Sequence, residues 1–369
     1  MKNNSLVDLE NDGQGVWLDY IRRDLFSSGE LKRLINDDGI TGMTSNPSIF
    51  EKAISSSTAY DDQLRDLLKM DPKTPAETLY EKIAIQDIQS AADLLLPVYN
   101  RLNKADGFVS LEVSPLLAQD TQATVMAARR LWQAVGRPNL MIKVPATQKG
   151  IPAIEQLISE GININITLMF TMEHYESVTK GYIDGLEDCP KPENVDSVAS
   201  FFVGRVDTAI DKLLTEIGSK ESLDLLGKVA IANSQMIYRK FKDIFYGDAF
   251  AGLQLKGARP QRPLWASTST KNPNYPDVLY VEALSGRNTV NTIPPDTLND
   301  FRDHGVAKKD AVERGKPEEV LARLDKLGID LKTVGEKLQQ DGVDSFALSY
   351  KKLLSALKEK SEGILSKGE

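Results

Sequence analysis

The chain has 369 residues, of which 41% are hydrophobic, and its formal net charge at pH 7 is −8. This acidic balance argues against a general nucleic-acid binder, because such proteins neutralise phosphates with clustered Lys and Arg. No run of 18 apolar residues predicts a membrane span, and the first residues lack the apolar core of a secretory signal, so we expect a soluble cytoplasmic protein.

Histidine and cysteine are scarce, with only His174, His304 and Cys189 in the chain. Metal sites built on imidazole or thiolate need clusters of these residues, and a lone cysteine cannot form an internal disulfide. His174 lies in a helix-like run and His304 in a polar segment, which argues against a Ser-His-Asp catalytic site. Neither a Walker loop nor a GxGxxG motif after a strand is present. We therefore expect no metal and no cofactor.

Short apolar strands alternate with amphipathic helical stretches, a pattern typical of a parallel sheet with crossover helices. Eight strands are predicted, the number that closes a (β/α)8 TIM barrel. We therefore predict an α/β fold of this class, with one domain over residues 1–369. The predicted strands are residues 16–20, 40–44, 108–113, 140–144, 162–170, 197–203, 263–267 and 289–293.

The intervening helices carry clear start and stop signals. A helix over 120–135 opens on Asp120 and ends before Gly136, and one over 150–160 ends before Gly161. Residues 205–217 and 223–245 predict a helical pair before the seventh strand. Two segments exceed a minimal barrel: a long helix over 77–102 and a charged carboxyl-terminal extension over 307–369, for which we predict two or three helices.

Polar residues alternate with apolar ones along several strands. In the fifth, Asn163, Asn165 and Thr167 share one face, because successive side chains of a strand point to opposite sides. A strand flanked by helices has no water on its apolar side, so the polar face should line the barrel interior. The alternative is an antiparallel edge strand with this face in solvent, which the alternation of strands and helices disfavours.

Lys143 is the one basic residue of the apolar run LMIKVPAT at 140–147. A buried ammonium is costly, so such a lysine is paired, excluded, or kept neutral for chemistry such as Schiff-base formation. The alternative is a strand-edge lysine with its head in water. A barrel would bring further polar residues to the same end, namely Asp19, Asn46, Glu112, Asn165, Thr167 and Ser200. This arrangement favours a catalytic site over a set of core residues, because successive strand ends would carry two carboxylates, an amine, amides and hydroxyls.

At these positions the sequence resembles the transaldolase family. The similarity covers about the first 280 residues, in the family's order, and is specific because its motifs occur together. They are TGMTSNPS at 41–48, VSLE at 109–112, IKVPAT at 142–147, NITLMF at 165–170 and SFFVGR at 200–205. The resemblance implies a (β/α)8 barrel that moves a dihydroxyacetone unit between sugar phosphates in the pentose phosphate pathway, without a cofactor.

The resemblance also implies roles for individual residues. Lys143 matches the Schiff-base lysine, Asp19 the group that exchanges a proton with the C4 hydroxyl, and Glu112 the acid that acts with Thr167 through a bound water. Asn46 and Asn165 match residues that hold the dihydroxyacetone hydroxyls, and Ser200 and Phe202 lie beside the same fragment.

Phosphate recognition is implied for Arg205, which matches the family's phosphate-binding arginine. The seventh strand departs from the family pattern, because many transaldolases carry an arginine shortly after an Ala-Ser pair. Here Ala266-Ser267 is followed by Thr-Ser-Thr-Lys, and Ser267 and Lys271 would share that role. The alternative for Lys271 is an ordinary surface lysine in a turn.

Two other functions remain open. The first is a fructose 6-phosphate aldolase, which resembles transaldolase and is built on the same barrel. That enzyme has glutamine at the position of Glu112 and tyrosine at that of Phe202, so this sequence favours transfer over cleavage. A non-catalytic barrel that binds sugar phosphates is disfavoured because acid, base and amine are all present. The sequence is compatible with a homo-oligomer, and no residues within it resemble the isomerase to which some long transaldolases are fused.

Overall fold

The computed structural model describes residues 4–366, and within them eight parallel strands form one closed barrel. Each strand pairs with its neighbour in the chain, and the eighth pairs with the first. The predicted (β/α)8 fold is therefore confirmed, while residues 1–3 and 367–369 of the predicted domain lie outside the described residues. The strands β1 to β8 are Gln14–Leu18, Gly42–Met43, Phe108–Glu112, Leu140–Pro145, Ile164–Met169, Ser197–Phe201, Arg262–Ala266 and Thr289–Ile293.

Three strands are at least two residues shorter than predicted. In β2 only two residues pair with the neighbouring strands, although residues 40–45 are all buried. Near the end of β5 the register with β6 shifts between Ile166 and Met169, where Leu168 has φ +61°. Finally, β6 ends at Phe201 because Phe202 is already the residue that precedes the next helix.

Seventeen α-helices surround the barrel within residues 4–366. In chain order α1 to α17 are Ser5–Asn11, Arg23–Ser27, Glu30–Asp38, Pro47–Ser55, Asp61–Met70, Ala76–Arg101, Thr121–Val135, Gly150–Ser159, Met172–Glu187, Val203–Ile217, Lys220–Leu223, Val229–Phe245, Asp248–Leu255, Leu279–Ala283, Pro295–His304, Pro317–Lys326 and Leu331–Leu365. Short 3-10 helices lie at Pro115–Leu117, Pro192–Asn194 and Ala311–Glu313.

Most predicted helices are observed, with their caps. Asp120 accepts a hydrogen bond from the Ala123 amide at 2.9 Å, and Gly136 ends α7 with φ +59°. The long insertion is α6, whereas α13 was not predicted as a separate helix. None of the helices within residues 4–366 is both long and apolar enough to cross a membrane.

The carboxyl-terminal extension contains one 3-10 helix, α16 and the 35-residue α17. The buried residues of α17 form one stripe along the helix, from Gly335 through Phe346 to Ser361. This stripe packs on α4, α6 and α10 and on the strand β5. The helix therefore lies across the end of the barrel at which the strands finish.

The opposite end of the barrel is held by a buried carboxylate. Asp106 accepts hydrogen bonds from Trp17 Nε1 at 2.8 Å and from Thr41 Oγ1 at 3.0 Å, and it lies 3.2 Å from Arg262 Nη1. This network stabilises the barrel, because barrel enzymes carry their chemistry at the other end.

A second buried carboxylate joins three helices on the outside of the barrel. Asp207 of α10 accepts hydrogen bonds from the Ala230 amide of α12 at 2.8 Å and from the Tyr280 hydroxyl of α14 at 2.9 Å. Burial raises the pKa of Asp207 from 3.8 to about 6, because these two bonds only partly replace the lost hydration.

Candidate active site

Lys143 and Glu112 form a buried pair on neighbouring strands. They are register partners in β4 and β3, and Lys143 Nζ lies 3.2 Å from Glu112 Oε2. Nζ also donates to the Ser45 carbonyl at 3.3 Å, and only 5% of Lys143 and 7% of Glu112 are exposed. The lysine therefore points into the barrel, and the alternative of a strand-edge lysine in water is wrong.

The environment of Glu112 favours its protonated form. Burial raises the pKa of this carboxyl above its ordinary value, while the charges of Lys143 and Arg205 act in the opposite direction. An acid in direct contact with an amine is suited to proton transfer during addition of the amine to a carbonyl.

Asn165 is fixed by hydroxyl groups on both sides. Its Nδ2 donates to Ser110 Oγ of β3 at 2.9 Å, and its Oδ1 accepts from Ser200 Oγ of β6 at 2.7 Å. Asn165 is also the register partner of Lys143. The three residues are fully or almost fully buried, so the predicted polar face of β5 does line the barrel interior.

Thr167 lies two residues further along β5 than Asn165, opposite Pro145. Its hydroxyl is buried and finds no hydrogen-bond partner within residues 4–366. Leu168 follows with φ +61°, a conformation that side chains with a Cβ rarely adopt. Strained backbone of this kind persists where the surrounding structure enforces it, and it occurs often at active sites.

Asp19 directly follows β1 and is held by two hydroxyl groups. Thr44 Oγ1 donates to Asp19 Oδ1 at 2.9 Å, and Ser267 Oγ donates to Oδ2. Ser267 has φ +53°, and its amide donates to Thr292 Oγ1 at 3.1 Å. The structure thus brings Ser267 to the carboxylate, where its hydroxyl orients Asp19.

A cleft of about 510 Å³ reaches Asp19 from the surface. Its walls include Tyr20, Ile49 and Lys52 on one side and the start of α15 at Pro295 on the other. Asn46 is the N-cap residue of α4, next to this cleft. Its Oδ1 accepts a hydrogen bond from the Ile49 amide at 2.9 Å, so its Nδ2 group can donate to another molecule. The cleft therefore lies beside Asp19, and its lining does not include Lys143 or Glu112.

Arg205 is a half-buried cation without a counter-ion. Its guanidinium makes no hydrogen bond or ion pair with any residue of the range 4–366 and lies 4.5 Å from the ring centroid of Phe202. Burial lowers the pKa of Arg205, although the guanidinium remains charged at neutral pH. An unpaired cation at the strand ends is suited to bind an anionic group such as phosphate.

Phe202 is a buried aromatic residue of this end, stacked on Phe170 with ring centroids 5.9 Å apart. Lys271 differs from the other predicted residues, because it is exposed in the loop after β7. Its Nζ donates to Ser269 Oγ at 2.9 Å. No cluster of three or more His, Cys, Asp or Glu within residues 4–366 could hold a metal.

Sequence reasoning missed the residues that α17 brings to the site. Gln339 Nε2 donates to the carbonyls of Ala146 and Leu168, both at 3.0 Å, and the Phe346 ring centroid lies 5.7 Å from Lys143 Nζ. The signal was a pair of helix-interior glycines, Gly335 and Gly342, two turns apart on the buried face. Glycine is unfavourable inside a helix, so such a pair indicates close approach to another element.

Comparison with known proteins gives consistent matches over nearly the whole chain. A family model described as Transaldolase/Fructose-6-phosphate aldolase matches residues 16–357. A transaldolase of Thiobacillus denitrificans is 45% identical over 361 residues, which cover 96% of this chain and 99% of that protein. Transaldolases of Trichodesmium erythraeum and Thermobifida fusca are 43% and 45% identical, over 98% and 95% of this chain and 98% and 96% of their own lengths.

Proposed function

The chain belongs to the transaldolase/fructose-6-phosphate aldolase family as a transferase, and on that premise we propose that Lys143 is its Schiff-base nucleophile. The observation that supports this most directly is the buried contact of 3.2 Å between Lys143 Nζ and Glu112 Oε2. The donors we propose are sedoheptulose 7-phosphate and fructose 6-phosphate, and the acceptors are glyceraldehyde 3-phosphate and erythrose 4-phosphate.

In the first half of the reaction, the neutral amine of Lys143 adds to the C2 carbonyl of the ketose to form a carbinolamine. Glu112, with the hydroxyl of Thr167, supplies the proton with which the C2 hydroxyl leaves as water. The product is an iminium ion that can accept an electron pair. Asn165 holds the hydroxyls of the dihydroxyacetone part together with Asn46 and Ser200, which fixes the C3–C4 bond relative to the iminium.

In the second half, Asp19 removes the proton of the C4 hydroxyl. The C3–C4 bond breaks, its electron pair converts the iminium into an enamine, and an aldose phosphate leaves. An incoming aldose phosphate then accepts the enamine carbon at its aldehyde carbon, and Asp19 returns the proton to the new hydroxyl. Water hydrolyses the resulting iminium, which releases the product ketose phosphate and restores the amine of Lys143. Thr44 and Ser267 donate to the two oxygens of Asp19 and orient it for both transfers.

Transfer is favoured over cleavage because position 202 provides no phenol hydroxyl that could protonate the enamine. Phe202 carries no hydroxyl, and it lies buried beside the Arg205 guanidinium. Protonation of the enamine would release dihydroxyacetone, whereas an enamine kept unprotonated waits for an acceptor. Arg205 binds the phosphate of donor and acceptor in this proposal, with Lys271 at the rim. The extension that begins at residue 307 acts as part of the same catalytic unit.

Borohydride reduction tests the assignment of the nucleophile. The protein is incubated with fructose 6-phosphate, reduced and digested, and the modified peptide is sequenced by mass spectrometry. We expect one adduct, on Lys143, and none in Lys143→Met, while the exposed Lys149→Met variant keeps the adduct. An adduct on Lys149 or Lys104 would refute the proposal.

A further inference from the structure

The helix α17 is anchored at several points around the barrel mouth. Ser48 Oγ donates to Ser349 Oγ at 2.8 Å, the Tyr350 hydroxyl donates to Glu77 Oε1 at 3.1 Å, and Lys360 Nζ lies 2.7 Å from Asp61 Oδ1. These contacts reach α4, α6 and α5 in turn. The carboxyl-terminal half of the helix is therefore held against α4, α5 and α6.

Phe346 is the aromatic residue that α17 directs toward the site, and it is 3% exposed. Its ring centroid lies 5.6 Å from Arg205 Cζ, and its ring packs at 70° on that of Phe202, 6.4 Å away. Arg205 therefore has one aromatic neighbour directly before its own helix and a second from α17. Phe346 also lies 5.7 Å from Lys143 Nζ, so one ring borders both cations.

The two rings leave Arg205 with its hydrogen-bonding capacity unused. An aromatic ring attracts a guanidinium through the π electrons of the ring. The N–H groups of the guanidinium point outward in its own plane, so the ring does not accept hydrogen bonds from them. Because no carboxylate within residues 4–366 takes these donors, they remain available for an oxyanion. A cation held between rings also loses less conformational freedom on binding a phosphate than a free arginine does.

We infer that Phe346 is a positioning residue for phosphorylated substrates: it holds Arg205 against Phe202 for phosphate binding and covers the barrel mouth above Lys143. This inference rests on the proposed phosphate role of Arg205. Discrimination between a sugar phosphate and the free sugar thus depends on a residue of the helix α17, far in sequence from the barrel strands.

The test compares two acceptors, one with a phosphate group and one without. KM is measured for erythrose 4-phosphate and for erythrose, with fructose 6-phosphate as the saturating donor. Phe346→Leu keeps an apolar side chain but removes the ring, and we expect KM for erythrose 4-phosphate to rise by about 3- to 30-fold, the range of a desolvated cation–π contact. KM for erythrose should change less than about twofold, since erythrose lacks the group that Arg205 binds.

Two variants control for a purely structural effect. Phe346→Tyr keeps the ring and should restore most of the affinity for erythrose 4-phosphate. Leu348→Ala, on the same helix with a side chain 56% exposed, should leave both KM values unchanged. A matching rise of both KM values in Phe346→Leu, or no rise for the phosphorylated acceptor, would overturn the inference.

A double-mutant cycle with Arg205→Met separates the inference from the proposed function. We expect Phe346→Leu to raise KM for erythrose 4-phosphate when Arg205 is present and to have little further effect when it is absent. If Arg205→Met alone leaves this KM unchanged, the proposed phosphate role is wrong. If Arg205→Met raises KM but Phe346→Leu raises it equally in both backgrounds, only the inference about Phe346 is wrong.

Discussion

Replacing Gly335 of α17 by alanine should loosen the helix from the barrel. A Cβ at this position would lie 2.0 Å from Thr171 Cγ2, whereas apolar carbons in contact are about 3.5–4.0 Å apart. The threonine cannot turn away without loss, because its Oγ1 caps α9 by accepting from the His174 amide at 3.2 Å. We therefore expect the helix, rather than Thr171, to move.

The size of the effect follows from a comparison within the same helix. Gly363 of α17 has nothing within 4 Å of an added Cβ, so Gly363→Ala should gain helix propensity alone, up to about 1 kcal/mol. Gly335→Ala has the same gain but also an overpacking cost of about 1–3 kcal/mol. The two variants should thus differ by about 1–3 kcal/mol in free energy of unfolding, a factor of roughly 5 to 150 in the equilibrium constant.

Urea unfolding and native-state hydrogen exchange measure this difference. Gly335→Ala should show the lower midpoint and faster exchange of amides in α17, with exchange in β3 to β6 little changed. It should also release more free dihydroxyacetone from fructose 6-phosphate, because a loosened helix admits water to the enamine. Equal stability of the two variants together with unchanged exchange in α17 would refute this account of the packing.

Three further predictions concern buried carboxylates. Asp207 binds its proton more tightly in the folded protein than in the unfolded chain. This protonation stabilises the folded state by about 3 kcal/mol below pH 3.8, and the stabilisation is lost as the pH rises through about 6. Asp207→Asn should therefore reduce the pH dependence of the free energy of unfolding in this window, as measured by urea unfolding at each pH. Asp106→Ala leaves the half-buried Arg262 without its carboxylate partner, so unfolding should become easier by up to about 3 kcal/mol while kcat/KM of the folded enzyme stays unchanged. Glu112→Gln should lower kcat by about 10²- to 10⁴-fold, and kcat within threefold of the parent enzyme would contradict its role as an acid.

The site residues that could be predicted are those on strands of regular alternation. Glu112, Lys143 and Asn165 each interrupt a run of apolar residues at a spacing of two, and the structure places all three inside the barrel. The closed barrel then dictates their proximity, since adjacent parallel strands end at the same edge. The local sequence pattern and the barrel topology together were enough to predict the positions of these three residues.

Other features depend on contacts that leave little trace in local sequence. The stripe on α17 indicates that one face is buried but does not say against which element, so the approach of Phe346 to Arg205 could not be foreseen. Leu168 has φ +61° although leucine has no preference for this conformation. Its backbone is set by the shift of register between β5 and β6, which is a property of the assembled barrel.

The position of α17 also sets an order of events during synthesis. The contact between Ser48 and Ser349 spans 301 residues, and about 70 residues separate the end of β8 from the end of α17. At about 5–20 residues per second, the ribosome needs roughly 4 to 14 s to produce them. During that interval the strands that carry Lys143 already exist, but the helix that covers this amine does not. A newly made chain therefore leaves Lys143 without the neighbouring ring of Phe346 until its helix α17 has docked.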